Sequence, residues 1–198
     1  MTGIKRTVIT AMLIAAGIVL PLVFHIIPAG LAGRTLLPMH IPVLIAGLIV
    51  GPFYGFFAGL ITPLLSSMTT GMPAAGLTVY RMMVELSVYG AVAGFAMRYI
   101  FTKRITMDLY ISLIVAMILG RVAAGIAGAI MLFGGGVFTL SIWIAGYFTT
   151  SLPGIVLQII FIPGIIIALE RAGLIPLRYP ARGLGQSPIL KEVIKNDK

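Results

Sequence analysis

Three charged side chains lie within long apolar stretches and could form a buried polar site. They are Arg81, Glu85 and Arg121, and they are flanked by stretches without any Asp, Glu, Lys or Arg, namely residues 35–80, 86–97, 109–120 and 122–169. An ionised side chain in apolar surroundings is costly unless it is paired or hydrogen-bonded. We therefore expect each of the three to have a partner, which is either another of these groups or a bound ligand.

The charges of this trio do not balance. Arg81 and Glu85 are four residues apart, which places them on one face of a helix and within pairing range. With Arg121, two positive groups face one negative group, so one positive charge is left over. A bound carboxylate or phosphate would neutralise it, although backbone carbonyls at the Pro153 and Pro163 breaks could also solvate an arginine. The pattern favours ligand contact, with a purely structural trio as the alternative.

Further polar and aromatic side chains lie at compatible positions along the chain. Two of them, His40 and Arg34, belong to a loop or its junction, although a lone histidine there is more often merely in contact with water. Trp143 is as consistent with an anchor at a membrane interface as with a site. The predicted substrate-binding residues are Arg34, His40, Arg81, Glu85, Tyr89, Arg121, Tyr147 and Thr150.

The elements that position these residues must be membrane helices. The 198 residues are 60% hydrophobic and only 10% charged, whereas an ordinary globular domain has about 25% charged residues. Crossing the hydrocarbon layer of a bilayer takes about 20 apolar residues, and the uncharged stretches supply them. We predict an all-α membrane protein with one membrane domain at residues 1–170 and a basic cytoplasmic tail at residues 171–198.

Six membrane-spanning helices are predicted, at residues 7–27, 36–50, 52–68, 77–100, 108–132 and 141–169. The second and third are separated by Gly51-Pro52, a glycine and proline pair typical of a helix end followed by a helix start. Both are short for a membrane span, so we expect tilt or burial within the protein. Glycines at positions 47, 51, 55 and 59 predict close contact between helix backbones.

The distribution of basic residues predicts the orientation. If the amino terminus is cytoplasmic, 11 of the 14 Lys and Arg residues lie on the inner side, Arg34 lies outside, and Arg81 and Arg121 lie within helices. An excess of positive charge marks cytoplasmic loops. We therefore predict a multi-pass protein of the plasma membrane with both termini in the cytoplasm, and the net charge of +9 is a topology signal rather than evidence of nucleic-acid binding.

Several enzyme classes lack their signatures. The chain has no G-x-x-x-x-G-K-[ST] loop, so ATP hydrolysis by that route would have to come from a partner. Two histidines, two aspartates and no cysteine make no credible metal site. No G-x-S-x-G motif is present. We predict a protein that is not an enzyme and that has neither a metal nor a cofactor.

Three segments carry a resemblance to a known family. The runs are AMLIA at residues 11–15, PMHIPVLIAGLIVGPFYGFFAGLITPLLSSMTTGMP at residues 38–73, and VELSVYG at residues 84–90. Together they resemble the substrate-binding S components of energy-coupling factor (ECF) vitamin transporters, over about residues 5–170. The most specific part is the pattern H-I-P-V-L-x-A-G-x-x-x-G-P-x-x-G.

The resemblance implies a fold, a function and partners. It implies an S-component-like bundle that binds a vitamin with high affinity from the outside and associates with a transmembrane coupling subunit and two cytoplasmic ATPases. In that family an A-x-x-x-A pair on the first helix docks on the coupling subunit, and it corresponds to Ala11 and Ala15 here. The ligand cavity usually lies where Arg81, Glu85, Arg121 and Tyr147 are expected.

The identity of the substrate and two other functional classes stay open. The chain departs from the motifs of riboflavin, thiamine and biotin members, which leaves pantothenate, pyridoxine-type or cobalamin-precursor ligands, and the spare positive charge favours an anionic one. A small secondary transporter would need a coupling site or repeated halves, and we find no internal repeat. In a non-transporting membrane assembly subunit, the charges within the helices would be purely structural.

Overall fold

All regular secondary structure in the described part of the chain is helical. The computed structural model describes residues 3–25, 35–102, 104–131 and 139–173. Within these ranges there are seven α-helices and one π-helical turn: α1 Gly3–His25, α2 His40–Val50, α3 Pro52–Thr70, α4 Leu77–Tyr99, α5 Ile105–Met131, α6 Leu140–Ile144, the π turn Ala145–Thr149, and α7 Leu152–Arg171. The prediction of an all-helical chain is confirmed for these residues.

Three of the helices are long and apolar enough to cross a membrane. They are Gly3–Val23 of α1, Ile105–Met131 and Leu152–Arg171. The helix α4 has sufficient length but contains Arg81, Glu85 and Arg98, and α2 is short. The finding supports a membrane protein, while six spans and two cytoplasmic termini stay predictions.

The shortest of the predicted spans, α2, lies inside the bundle. Ten of its eleven residues are buried, because it packs against α1, α3, α4 and α7. At 1.5 Å per residue the helix is about 16 Å long, roughly half the hydrocarbon thickness. A helix that is apolar on all sides is stable where protein covers every side, and of the two outcomes predicted for this segment, the structure shows burial.

The chain reverses between α2 and α3 at Gly51. This residue has φ 127° and ψ 172°, a backbone conformation that residues with a Cβ rarely adopt. Pro52 follows in the first turn of α3, where a missing N–H is not needed for the helix. The predicted break at this pair is confirmed.

The helices α2, α3 and α4 touch through their backbones at glycines. A Cβ added at Gly47 would overlap the carbonyl oxygen of Gly90, and one added at Gly59 would overlap the carbonyl oxygen of Leu86. Gly55 and Gly90 face each other at the crossing of α3 and α4. The predicted close approach of glycine backbones is confirmed, and it brings α4, with its charged residues, to the centre of the bundle.

The predicted sixth helix, residues 141–169, is wrong as one continuous helix. The structure divides it into α6, the π turn and α7. Thr150 donates its N–H to the Ala145 carbonyl over 2.9 Å, which closes the π turn, and Pro153 lies in the first turn of α7. Because proline has no N–H to continue the preceding helix, the helix ends and a new one begins.

Asp108 stabilises the connection between α4 and α5 through hydrogen bonds. Asp108 is buried, and its Oδ1 accepts hydrogen bonds from the Thr102 N–H over 2.8 Å and from the Thr102 hydroxyl over 2.6 Å. In an Asp108→Ala variant both donors lose their acceptor, and we expect the free energy of unfolding to fall by about 1 to 3 kcal/mol. The measurement is the temperature at which the detergent-purified protein loses its monomer peak in size-exclusion chromatography.

The matched control for this stability prediction is Asp108→Asn. The amide keeps an acceptor oxygen, so this variant should retain more stability than Asp108→Ala. Equal melting temperatures for the wild type and Asp108→Ala would contradict the role assigned to the aspartate.

Candidate functional site

A chain of hydrogen bonds joins a buried carboxylate to a buried guanidinium. Arg121 donates from Nε to the Tyr89 hydroxyl over 3.0 Å, and that hydroxyl donates to Glu85 Oε1 over 3.1 Å. The exposed fractions are 3% for Arg121, 0% for Tyr89 and 5% for Glu85. Hydrogen bonds to ionised groups are stronger than neutral ones, so this group, which we call the relay (Glu85, Tyr89 and Arg121), fixes α4 against α5.

Glycine makes the approach of these two helices close enough for the relay. A Cβ added at Gly120 would overlap the ring of Tyr89. One edge of the Tyr89 ring therefore lies against the α5 backbone at Gly120, one residue before Arg121. Because Gly120 of α5 has no side chain, the ring of Tyr89 on α4 fits against α5, and its hydroxyl reaches the Arg121 guanidinium.

The second arginine, Arg81, contacts Tyr147. Arg81 donates from Nη2 to the Tyr147 hydroxyl over 2.9 Å, and its Cζ lies 5.4 Å from the centre of the Tyr147 ring. Among the described residues, the only contact within 4.0 Å between a basic side chain and a carboxylate joins His40 to Glu85. Arg81 and Glu85, which the spacing places within pairing range, therefore do not form an ion pair. Sharing one helix face allowed that pair, but the phenol of Tyr147 offers both a hydroxyl acceptor and a ring face.

Aromatic rings of the last helical region cover both guanidinium groups. The Cζ of Arg121 lies 5.5 Å from the centre of the Phe148 ring, and Trp143 contacts Tyr147 and Phe148 at centroid distances of 6.3 Å and 5.4 Å. A cation over an aromatic face is attracted by the ring quadrupole. The consecutive residues Tyr147 and Phe148 thus contact Arg81 and Arg121, respectively.

These aromatic residues belong to the π turn or adjoin it. Single π-helical turns within α-helices occur frequently at functional sites. Here the wider turn brings Phe148, five residues after Trp143, into contact with the Trp143 ring. The Trp143 indole lies against α5, because a Cβ at Gly125 would overlap its Nε1.

His40 extends the relay toward α2. It is buried, with Nε2 3.7 Å from Glu85 Oε1 and its ring centre 5.4 Å from that of Tyr89. Neither ring nitrogen makes a hydrogen bond to the described residues. The predicted site residue His40 is therefore brought to the cluster, as a neighbour of the carboxylate.

The resulting cluster combines side chains from α4, α5 and the π turn. We call it the arginine site, and its members are Arg81, Glu85, Tyr89, Arg121 and Tyr147. It combines two guanidinium groups with one carboxylate, so its formal charge is +1. No group of three His, Cys, Asp or Glu residues that could hold a metal occurs in the described ranges.

Comparison with known proteins identifies the family. A family model described as "ECF transporter, substrate-specific component" matches residues 5–168. The chain belongs to this family. It is an S component, the substrate-binding subunit of an ECF importer, and S components are not themselves enzymes. The family and the apolar helices together indicate a multi-pass plasma membrane protein that works with an ECF module on a small-molecule substrate. No curated protein and no solved structure matched the chain.

One predicted site residue of the S component, Thr150, lies apart from the contacts just described. Thr150 is exposed, and its hydroxyl donates to the Ala145 carbonyl over 3.0 Å, so this hydrogen bond belongs to the π turn. Arg34 lies outside the described residues. A ligand role for either residue stays a prediction.

The first helix has one packed face and one open face. Thr10 and Gly17 are buried, and a Cβ at Gly17 would press on the Thr62 side chain of α3. Ala11 and Ala15 are exposed. The predicted docking pair is therefore accessible from outside the bundle.

Sequence analysis did not identify Phe148 as a site residue. Phenylalanine carries no polar group, and in a regular α-helix it would not share a face with Trp143. The signal that could have indicated Phe148 is its spacing of five residues from Trp143, which places the two on one face if the chain forms a π turn before Pro153.

Proposed function

We propose that the S component binds a vitamin or vitamin precursor with one anionic group at the arginine site. The observation that carries the proposal is the charge count: the arginine site contains the buried guanidinium of Arg121, the half-buried one of Arg81, and one carboxylate, that of Glu85. An uncompensated buried cation is unfavourable. A ligand anion would remove that penalty, which makes ligand binding favourable.

The chemistry of the arginine site fits a carboxylate. Guanidinium groups bind carboxylates through parallel N–H···O bonds, and the apolar surroundings strengthen such bonds. Among the ligand classes left open by the sequence, pantothenate carries one carboxylate. It is therefore the first candidate, ahead of pyridoxine-type and cobalamin-precursor ligands.

The proposed topology places the arginine site toward the outside. Counting α6, the π turn and α7 as one span gives six spans, with both termini and the basic tail at residues 171–198 in the cytoplasm. The site then lies in the outer half of the bundle, where a ligand is captured before transport. A transmembrane coupling subunit and two cytoplasmic ATPases would supply the energy, and Ala11 and Ala15 would form the docking surface.

Direct binding to the purified S component tests this function. We expect isothermal titration calorimetry with a vitamin panel to show tight binding of pantothenate without any partner subunit. An Arg81→Met plus Arg121→Met variant should bind at least about tenfold more weakly, since each hydrogen bond to a charged group contributes about 1.5 to 3 kcal/mol.

The matched control is Arg98→Met. Arg98 is an exposed arginine near the opposite end of α4, about 25 Å from Arg81 along the helix axis at 1.5 Å per residue. Its replacement should leave the affinity unchanged. If no vitamin in the panel binds the wild type, or if the double variant binds as tightly as Arg98→Met, the proposed function is wrong.

A further inference from the structure

The two arginines of the arginine site are held in different electrostatic environments. Arg121 belongs to the relay, in which the Tyr89 hydroxyl connects it to the carboxylate of Glu85 through bonds of 3.0 Å and 3.1 Å. One positive and one negative charge are thus joined within a buried, hydrogen-bonded unit. The formal charges of Glu85 and Arg121 within the relay therefore cancel.

Arg81 has no comparable compensation. Its Nη2 donates to the neutral Tyr147 hydroxyl over 2.9 Å, and its Cζ lies over the ring of the same residue. No carboxylate among the described residues lies within 4.0 Å of it. Its Nε is buried and has no hydrogen-bond partner in the described part of the chain. The spare positive charge of the arginine site is therefore located on Arg81.

We propose that Arg81 is the specificity-determining residue that binds one carboxylate of the ligand, while Arg121 is a positioning residue within the relay. This inference rests on the proposed vitamin-binding function and goes beyond it by assigning the roles of the two arginines. A single uncompensated guanidinium matches a monoanionic carboxylate better than a phosphomonoester, which carries about 1.5 to 2 negative charges at neutral pH. The assignment of Arg81 also predicts that uncharged analogues bind more weakly than the carboxylate ligand.

The first measurement needs no ligand. In Arg121→Met, Glu85 loses the cation at the other end of the relay, and we expect the melting temperature of the purified protein to fall by about 5 °C or more. In Arg81→Met, an uncompensated charge is removed, and the melting temperature should stay the same or rise. Arg98→Met serves as the control for removal of an arginine from α4.

The second measurement compares two probes, pantothenate and its uncharged alcohol analogue pantothenol. The wild type should prefer the acid. Arg81→Met should reduce the ratio of the two affinities by about tenfold or more, because the charge-assisted bond to the carboxylate is lost. Arg121→Met should weaken both probes and keep their ratio, because it disturbs the position of the site rather than the contact with the carboxylate.

Four outcomes would overturn the inference. In the first, Arg121→Met abolishes the preference for the acid and Arg81→Met keeps it. In the second, Arg81→Met lowers the melting temperature as much as Arg121→Met does. In the third, the wild type binds pantothenol as tightly as pantothenate. In the fourth, it binds uncharged pyridoxine more tightly than pantothenate. Each of these outcomes is compatible with vitamin binding. A wild type that binds nothing in the panel contradicts the proposed function instead. In that case the melting temperatures of Arg81→Met and Arg121→Met still test which arginine carries the uncompensated charge.

Discussion

Replacing both Ala11 and Ala15 with tryptophan is expected to reduce vitamin uptake by whole cells to the level of cells without the S component. Both alanines are exposed on α1, and close approach of membrane helices depends on small residues at such positions. Two indole rings would hold the coupling subunit away from the α1 backbone. Binding to the purified variant should stay normal, because the arginine site lies on α4, α5 and the π turn.

The control for the docking prediction introduces two tryptophans at exposed positions on a different helix. Ile126 and Ile130 are exposed on α5 and are also four residues apart. Ile126→Trp plus Ile130→Trp should leave uptake and binding close to the wild type. Normal uptake by the alanine double variant, with the protein present in the membrane at wild-type amounts, would refute a docking role for Ala11 and Ala15.

The second large effect is expected at Gly90, where α3 and α4 touch. A Cβ at this position would overlap the carbonyl group of Gly55, and backbone atoms cannot rotate away as side chains can. Inserting even a few extra atoms into a packed core costs about 1 to 3 kcal/mol, and a leucine side chain adds four carbon atoms. We expect Gly90→Leu to yield no folded monomer after detergent extraction, as measured by fluorescence-detected size-exclusion chromatography.

An exposed glycine in the same type of helix provides the matched control. A Cβ at Gly164 of α7 would meet no atom within 4 Å, so Gly164→Leu should fold like the wild type. The milder Gly90→Ala should be intermediate, with a lower melting temperature. Equal yields of folded Gly90→Leu and Gly164→Leu would contradict backbone contact at the crossing.

The helices of this S component could be predicted closely from its sequence because their limits depend on local chemistry. Charged residues and glycine-proline pairs end the apolar stretches, so the predicted breaks at Gly51 and near Tyr99 agree with the structure. In the last helical region the predicted break at Pro153 agrees with the structure, whereas Pro163 lies inside the continuous helix α7. The π turn was missed, since hydropathy does not distinguish a π turn from an α-helix.

The composition of the arginine site could be predicted, but its internal pairing could not. A charge inside an apolar stretch is visible in any sequence, which is why Arg81, Glu85 and Arg121 were identified. The partner of Arg81 lies 66 residues away in the chain, so local spacing favoured Glu85 instead. Choosing between these partners requires knowing how the π turn directs Tyr147, and that depends on tertiary structure.

The burial of α2 has a consequence for the biogenesis of the protein. This helix is short for a membrane span and is almost entirely covered by other helices, so we do not expect the translocon to release it into lipid as an independent segment. We expect α2 to stay beside the insertion machinery until α3 and α4 have been synthesised, and then to enter the bilayer together with them. Ribosome-bound chains that end before Tyr99 should therefore expose this segment to aqueous modification reagents.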